Sequence, residues 1–228
     1  MLPRFAIITA GGKGIRMNNP LPKQFLLING KPVLMYTIEV FARLIAPEKI
    51  VLVLPAMQTN FWQSLCNEHQ FHLPVKLAEG GPTRFHSVKN GLRLVPNDAI
   101  VGIHDGVRPL VSENTIAQAY KMTEKLGNAI PVVPVTESVR VIENAFNKPM
   151  DRESLRLVQT PQCFRASDIK KAYEVPYDEA FTDDASVLEK TGARIYLSNG
   201  NVDNIKITTT ADLVIAEAIL AGKDLSAS

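Results

Sequence analysis

A cluster of glycines follows directly on the first apolar segment of the chain, in residues 10–17 (AGGKGIRM). Because glycine has no Cβ, its backbone N–H groups can approach and surround an anion. Two cations, Arg16 and Lys23, flank the loop and could neutralise a polyphosphate. The loop is not a Walker sequence, since Gly14 is not followed by Lys and Ser or Thr, and Met17 stands where the dinucleotide fingerprint requires Gly or Ala. The spacing favours a phosphate cradle of another kind over a sharp turn with solvated charges.

A second glycine pair, Gly80 and Gly81, precedes Pro82 and a helical pattern. Backbone amides in this turn, together with the hydroxyl of Ser87, could read the edge of a nucleobase at short range. A plain helix-initiating turn is an equally good interpretation of the same residues.

An acidic residue, Asp105, follows the apolar segment IVGI at 100–103. In an open α/β sheet, ligands bind beyond the carboxyl ends of the strands, which is where this residue falls. A single carboxylate there suits Mg²⁺, which takes one or two carboxylates together with phosphate oxygens. We predict Asp203 as a second metal ligand, with an ordinary loop aspartate as the alternative.

Four further polar side chains, Arg108, Arg152, Thr182 and Lys206, have no nearby apolar context. They could bind a second anion or lie on a solvated face. Thr182 also precedes two aspartates, a pattern typical of a helix N-cap.

The composition excludes several classes of protein. The 228 residues are 46% hydrophobic and 21% charged, with a net charge of +2, which is typical of a globular chain rather than a disordered one. No run of five basic residues and no run of 18 apolar residues occurs, so we expect no nucleic-acid and no membrane partner. Two cysteines and an N-terminus that predicts a strand rather than a signal peptide favour a cytoplasmic protein.

Short β-rich segments alternate with amphipathic ones. Buried parallel strands are predicted at 5–9, 49–54, 99–104 and 129–133, and helices at 32–45, 83–94 and 112–126, with Ser112 as an N-cap. This order predicts one α/β domain over residues 1–228, a Rossmann-like, mostly parallel twisted sheet with helices on both faces.

Two regions depart from that alternation. Residues 135–158 contain an alternating strand pattern at 138–143, a polar turn at 144–149 and a second extended segment from Ser154, which together predict a projecting β-arm that pairs with another subunit. Beyond it we predict strands at 193–197 and 204–207, and a last helix that begins near Thr209 with Asp212 at its N-terminus.

Seven motifs together resemble the ordered signature of the 2-C-methyl-D-erythritol 4-phosphate cytidylyltransferases. They are AGGKGIRM at 10–17, PKQ at 22–24, GGPTRFHSV at 80–88, HDGVRP at 104–109, QTPQ at 159–162, TDDAS at 182–186 and NIKIT at 204–208. The chain is also similar to the sister family, the ribitol-5-phosphate cytidylyltransferases, which shares most of these motifs.

The resemblance implies a nucleotidyltransferase of the nucleotide-diphospho-sugar transferase type, homodimeric through the arm and dependent on Mg²⁺. It implies catalytic roles for Arg16, Lys23, Arg152 and Lys206. It implies that the residues around CTP are Ala10, Gly11, Gly12, Gly14, Lys23, Gly80, Gly81, Ser87 and Asp105. It implies that the polyol phosphate meets Asp105, Arg108, Ser138, Arg152, Thr160, Thr182 and Lys206, with Ser138 and Arg152 reaching the neighbouring subunit's site.

The hypothesis drawn from these residues is that methylerythritol 4-phosphate attacks the α-phosphorus of CTP in line. Two alternatives remain: a pentitol phosphate as the acceptor, and a regulatory module that binds nucleotide without chemistry. Pyrophosphate release, measured with several polyol phosphates, distinguishes all three.

Overall fold

The computed structural model describes residues 2–12, 21–144 and 146–227. In chain order, the described elements are β1 (Arg4–Thr9), β2 (Leu27–Ile28), β3 (Lys31–Pro32), α1 (Val33–Ala42), β4 (Ile50–Leu54), α2 (Thr59–Glu68), β5 (Lys76–Glu79), α3 (Arg84–Leu92), β6 (Ile100–Asp105), α4 (Glu113–Leu126), β7 (Asn128–Pro134), β8 (Val139–Glu143), β9 (Phe146–Met150), β10 (Arg156–Val158), β11 (Gln162–Arg165), α5 (Ala166–Ala172), α6 (Asp184–Glu189), β12 (Leu197–Asn199) and α7 (Thr210–Ala227).

One mixed, mostly parallel sheet organises the chain, in the order β10-β7-β11-β6-β1-β4-β5, with β12 also pairing with β7. Strands β6, β1, β4 and β5 run parallel, whereas β11 is antiparallel to both β6 and β7. The register places Thr9 beside both Asp105 and Val53, and Leu54 beside Glu79. The loops that follow these four strands therefore leave the sheet at one edge, which is where an α/β fold builds its ligand site.

The core lies on both faces of this sheet because alternate side chains of each strand point to opposite sides. On β1, Phe5 and Ile7 pack against α3, α5 and α6, while Ala6 and Ile8 pack against α1, α2 and α4. Strand β4 is buried along its whole length, as expected for a parallel strand covered on both faces.

The four predicted strands are confirmed as β1, β4, β6 and β7, and the three predicted helices as α1, α3 and α4. Ser112 caps α4 by accepting a hydrogen bond from the amide of Thr115. Asp212 accepts from the amides of Thr208 and Thr209 and so begins α7 as predicted. Within the described ranges, no helix is both long and apolar enough to cross a bilayer.

Within the predicted arm, the strand at 138–143 is confirmed as β8, but the second strand of the hairpin begins earlier than predicted. Strands β8 and β9 form a two-stranded hairpin that turns at Asn144, and the expected polar turn at 144–149 is largely strand. An exposed ribbon has no buried face, so the polar residues of β9 do not interrupt it. The segment after Ser154 forms β10, which pairs with β7 in the main sheet rather than with the hairpin.

The predicted C-terminal strands also differ from the structure. Strand β12 begins at Leu197, where the segment predicted at 193–197 ends, and residues 204–207 do not form a strand. Their role is tertiary: Ile207 donates its amide to Val107, and Asn204 is fully buried. These contacts hold Lys206 beside the end of β6.

Candidate active site

A cleft of about 310 Å³ lies at the carboxyl edge of the parallel strands. Five separate segments meet there: the ends of β1 and β6, the 3-10 turn at Lys23, the start of α3, and the loop before α7. The lining residues are Thr9, Gly11, Gly12, Lys23, Gly81, Pro82, Thr83, Arg84, Ser87, Asp105, Val107 and Lys206. They are separated by up to almost 200 residues in sequence, and the sheet together with the contacts of its loops brings them to one place.

Asp105 is at the centre of the charged groups. Its carboxylate accepts from Lys206 Nζ at 3.0 Å and from Arg108 Nε at 3.3 Å, both at Oδ2, while Arg84 Nε lies 3.5 Å from Oδ1. Burial alone would raise the pKa of Asp105, but the charges of Arg84, Lys206 and Arg108 outweigh burial and hold that pKa well below its usual range. Asp105 is therefore ionised across the physiological range.

Arg84 connects this carboxylate to a second one. Its guanidinium binds Asp184 in a bidentate pair, at 2.8 and 2.7 Å, and Tyr173 Oη donates to the same carboxylate at 2.6 Å. Asp184 is fully buried at the first position of α6. Removing one partner of such a pair leaves a buried charge without compensation, which costs about 3 to 5 kcal/mol.

The glycine loop is anchored by neighbouring side chains. Gln24, fully buried, donates from Nε2 to the carbonyl of Ala10 at 2.8 Å. A Cβ added at Gly12 would lie 3.0 Å from Cε of Lys23, so a glycine here keeps the space beside the lysine open. Gly14 and Arg16 lie outside the described residues, and their predicted roles stay predictions.

The second glycine pair is fixed by the helix that follows. A Cβ on Gly81 would come within 2.4 Å of the Cβ of His86, so only glycine fits against α3. The amide of Gly81 donates to Ser87 Oγ at 3.0 Å, and Ser87 in turn donates to the carbonyl of Thr83. Ser87 thus stabilises the turn, and Thr83 caps α3, so the helix-initiating turn is confirmed, while contact of these residues with a nucleobase stays a prediction.

The metal prediction does not fit the described residues. Three cations surround Asp105, and a further cation at its oxygens would be repelled by them. Asp203 is exposed and does not line the cleft. Across the described part of the chain, no three His, Cys, Asp or Glu side chains are grouped in a way that could hold a metal ion. Asp105 and Asp203 are thus not a Mg²⁺ ligand pair in this geometry.

Comparison with known proteins gives the family. The family model described as IspD, 2-C-methyl-D-erythritol 4-phosphate cytidylyltransferase, matches residues 5–222. Proteins of that name from Bacteroides fragilis and Bacteroides thetaiotaomicron are 52% and 50% identical to the chain, covering 95% and 94% of it and 99% and 98% of their own lengths. The chain belongs to the 2-C-methyl-D-erythritol 4-phosphate cytidylyltransferase family.

Solved structures agree with this assignment. The 4-diphosphocytidyl-2C-methyl-D-erythritol synthase of Anaerococcus prevotii superposes with a TM-score of 0.82 at 26% identity, covering 96% of each chain. A 2-C-methyl-D-erythritol 4-phosphate cytidylyltransferase from Francisella tularensis gives 0.78 at 32% identity, over 95% of this chain and 99% of that one. The sheet and helices described above are thus the nucleotide-diphospho-sugar transferase fold.

The other predicted site residues that the structure describes do not line the cleft of the cytidylyltransferase. Arg108 is turned inward, donating from Nη1 to the carbonyl of Asn204 at 2.7 Å. Thr160 is buried behind Asp105, and Thr182 is exposed just before the capping box that begins α6. Ser138 and Arg152 are exposed beside the hairpin, where Arg152 Nη1 donates to the carbonyl of Thr136 at 2.6 Å.

Arg84 and Asp184 are not among the predicted site residues, although both occur in the motifs of the sequence. Each is a charged residue within a helix-start pattern, which is its most ordinary interpretation. Their pairing joins positions 100 residues apart, so no local signal could have revealed it.

A buried histidine beside this site predicts how stability depends on pH. His104 is fully buried, and burial lowers its pKa to about 4. In the unfolded chain His104 has a pKa of about 6.5, whereas in the folded chain it binds a proton only near pH 4. The stability that comes from keeping His104 neutral is therefore fully present above pH 6.5 and is lost as the pH falls toward 4. We expect the free energy of unfolding to decrease by about 2 kcal/mol between pH 7 and pH 5 from this residue alone.

Urea unfolding of the wild type and of His104→Gln at both pH values measures this effect. The other histidines are common to the two proteins, so the difference between the two pH dependences isolates His104. Equal dependences would show that His104 is protonated equally in the folded and unfolded states.

Proposed function

We propose that the cleft aligns CTP and a polyol phosphate for direct phosphoryl transfer, with the triphosphate beside Gly11, Gly12 and Lys23 and the acceptor phosphate toward Lys206. As a member of its family, the enzyme transfers the cytidylyl group of CTP to 2-C-methyl-D-erythritol 4-phosphate in isoprenoid biosynthesis. The observation that supports the placement is the charge of the lining: three cations, Lys23, Arg84 and Lys206, against the single carboxylate of Asp105. An excess of positive charge is what two polyanionic reactants require.

The reaction needs no general base. A phosphate monoester has its second pKa near about 6, so the acceptor is largely a dianion at neutral pH. One of its oxygens forms a bond to the α-phosphorus of CTP as the bond to the β-bridging oxygen breaks, and pyrophosphate leaves with the electron pair. The enzyme's task is therefore to position two anions and to neutralise charge on the transferring phosphoryl group.

We also propose that the reaction uses a divalent metal ion, Mg²⁺. Since the described carboxylates do not form a ligand set, we expect the phosphate oxygens of CTP to be its ligands. Arg16 and Gly14 complete the proposed triphosphate site, and Arg108 and Thr182 complete the proposed acceptor site.

A crossed substrate assay tests the function. Pyrophosphate release is measured with CTP, UTP, ATP and GTP, each against methylerythritol 4-phosphate and ribitol 5-phosphate. We expect pyrophosphate release with CTP and methylerythritol 4-phosphate. We expect far less with UTP, because uracil has a carbonyl oxygen in place of the exocyclic amine of cytosine, and that oxygen would face a buried hydrogen-bond acceptor, which is costly. Comparable rates with ribitol 5-phosphate would favour the pentitol alternative, and CTP binding without release in any pair would favour a regulator.

Lys23 gives a prediction for catalysis. Lys23→Ala removes a fixed cation next to the proposed triphosphate site, and loss of one such group typically costs about 2.7 to 4 kcal/mol in the transition state. We expect turnover to fall by roughly 100- to 1000-fold, with a smaller change in CTP affinity. Steady-state kinetics and CTP titration measure the two quantities, and Lys76→Ala, an exposed lysine on β5 that does not line the cleft, is the matched control. Turnover near the wild-type value would refute the role of Lys23.

We also propose that the hairpin of β8 and β9 forms a homodimer. In the described chain this ribbon pairs only with itself, and it exposes Ile142, Phe146 and Met150, with Ile142 72% and Phe146 80% accessible. Large apolar side chains exposed this far on a projecting element mark an interaction surface. Ser138 and Arg152 beside it would then reach the site of the partner subunit.

Mixing two inactive variants tests whether Arg152 acts across the dimer. Lys206→Ala and Arg152→Ala are unfolded together and refolded as a mixture. If Arg152 serves the partner's site, each heterodimer contains one intact site, and about a quarter of the wild-type activity returns. No recovery in refolded dimers would place both residues in the same chain's site. Refolded wild type alone controls for yield, and sedimentation measures the dimer.

A further inference from the structure

His104 makes two directed hydrogen bonds that no proposed substrate contact uses. It is the fifth residue of β6, fully buried, with its ring 4.8 Å from that of Phe41. Its Nε2 lies 3.1 Å from the carbonyl oxygen of Arg108, and its Nδ1 lies 2.9 Å from Thr160 Oγ1.

These partners determine where the ring proton is. A carbonyl oxygen can only accept, so Nε2 carries the proton and donates to Arg108. The neutral ring then has a bare Nδ1, which can only accept, and the hydroxyl of Thr160 must donate to it. A pKa lowered by burial to about 4 is consistent with this neutral form.

The direction of the Thr160 hydroxyl follows. Its one proton is directed to His104, and its oxygen accepts from the amide of Asp105 at 3.2 Å. Thr160 is buried, and its only hydroxyl proton is donated to His104, so it cannot donate a hydrogen bond to a substrate oxygen. This contradicts a direct donor role and assigns the hydroxyl to the backbone of Asp105.

The two bonds hold both ends of the segment that presents Asp105. One end is the amide of Asp105, held through Thr160, and the other is the carbonyl of Arg108, held directly by His104. Between them the amide of Gly106 donates to the carbonyl of Thr9 at 2.9 Å, and Thr37 Oγ1 donates to the carbonyl of Gly106 at 3.1 Å. Apart from the bond between His104 and Thr160, each of these contacts ends on a backbone atom, so together they fix the backbone that carries the Asp105 carboxylate.

We propose that His104 is a positioning residue for the acceptor phosphate, acting through Thr160 and Arg108 on Asp105 and, through Asp105, on Lys206. The inference rests on the proposed function of the cleft, because it assumes that Lys206 meets the acceptor. It differs from that function in making two buried residues, which do not line the cleft, determinants of acceptor binding.

Two substitutions separate the two bonds. His104→Asn leaves an acceptor near the place of Nδ1 but is too short to reach Arg108, while His104→Gln leaves a donor near the place of Nε2 but no acceptor for Thr160. For each we expect KM for methylerythritol 4-phosphate to rise roughly tenfold, the effect of losing one buried hydrogen bond, with KM for CTP within about threefold. His72→Asn, at an exposed histidine, is the control. If His104 only supports the fold, the melting temperature falls and both KM values stay unchanged, which overturns the proposal.

A double-mutant cycle supplies a test that does not depend on the histidine ring alone. Thr160→Val removes the hydroxyl at constant shape, and Thr160→Ser restores it. If Thr160 acts with His104, the double variant His104→Gln/Thr160→Val raises the acceptor KM no more than the larger single effect, because both substitutions remove the same bond, and Thr160→Ser is close to wild type. Fold-changes that multiply would mean that Thr160 meets the substrate by itself, and the proposal fails.

The same measurements distinguish this inference from the function on which it rests. If the wild type releases no pyrophosphate from CTP with any polyol phosphate, the proposed function fails. If the wild type is active and the variants keep its two KM values, only the role of His104 fails.

Discussion

One carboxylate has to remain charged in a position where it is only 7% accessible, and much of the site is arranged around that requirement. Asp105 would be costly to bury alone, but Arg84, Arg108 and Lys206 approach it from three different segments. The Asp105 carboxylate in turn fixes the position of each of these three cations. Arg84 is further held by Asp184, so the local charges combine into a positively biased wall with defined geometry rather than a set of mobile surface groups.

The sheet makes this arrangement possible. Parallel pairing of β6, β1 and β4 brings their carboxyl ends to one edge, and the loops that follow carry glycines where backbone must come close. The segment before the antiparallel strand β11 also contributes, since Thr160, separated from that strand by Pro161, accepts a hydrogen bond from the amide of Asp105. A deep polar layer of Thr160 and His104 thus supports a cleft whose wall holds the cations.

An enzyme that joins two anions gains most from charges that do not have to reorganise during the reaction. That principle accounts for how little of the described site is conventional acid–base machinery. The buried histidine is neutral and hydrogen-bonds to Arg108 and Thr160, and the aspartate is engaged by three cations. Rigid donors on separate elements are the useful feature here, because Arg84 and Lys206 are held by carboxylates and Arg108 is held in addition by the carbonyl of Asn204.

The sequence by itself determined the parallel strands, the helices that cover them, the glycine turns and, through ordered motifs, the family. Those features depend on residues close together in the chain, where periodicity and turn chemistry act. Only the tertiary structure decided that Arg84 joins Asp105 to Asp184, that Asp203 does not line the cleft, that β10 belongs to the main sheet and that the proton of Thr160 is directed to His104. Such facts depend on partners up to 100 residues away, and no local pattern of residue types encodes which distant groups will share a charge or a proton.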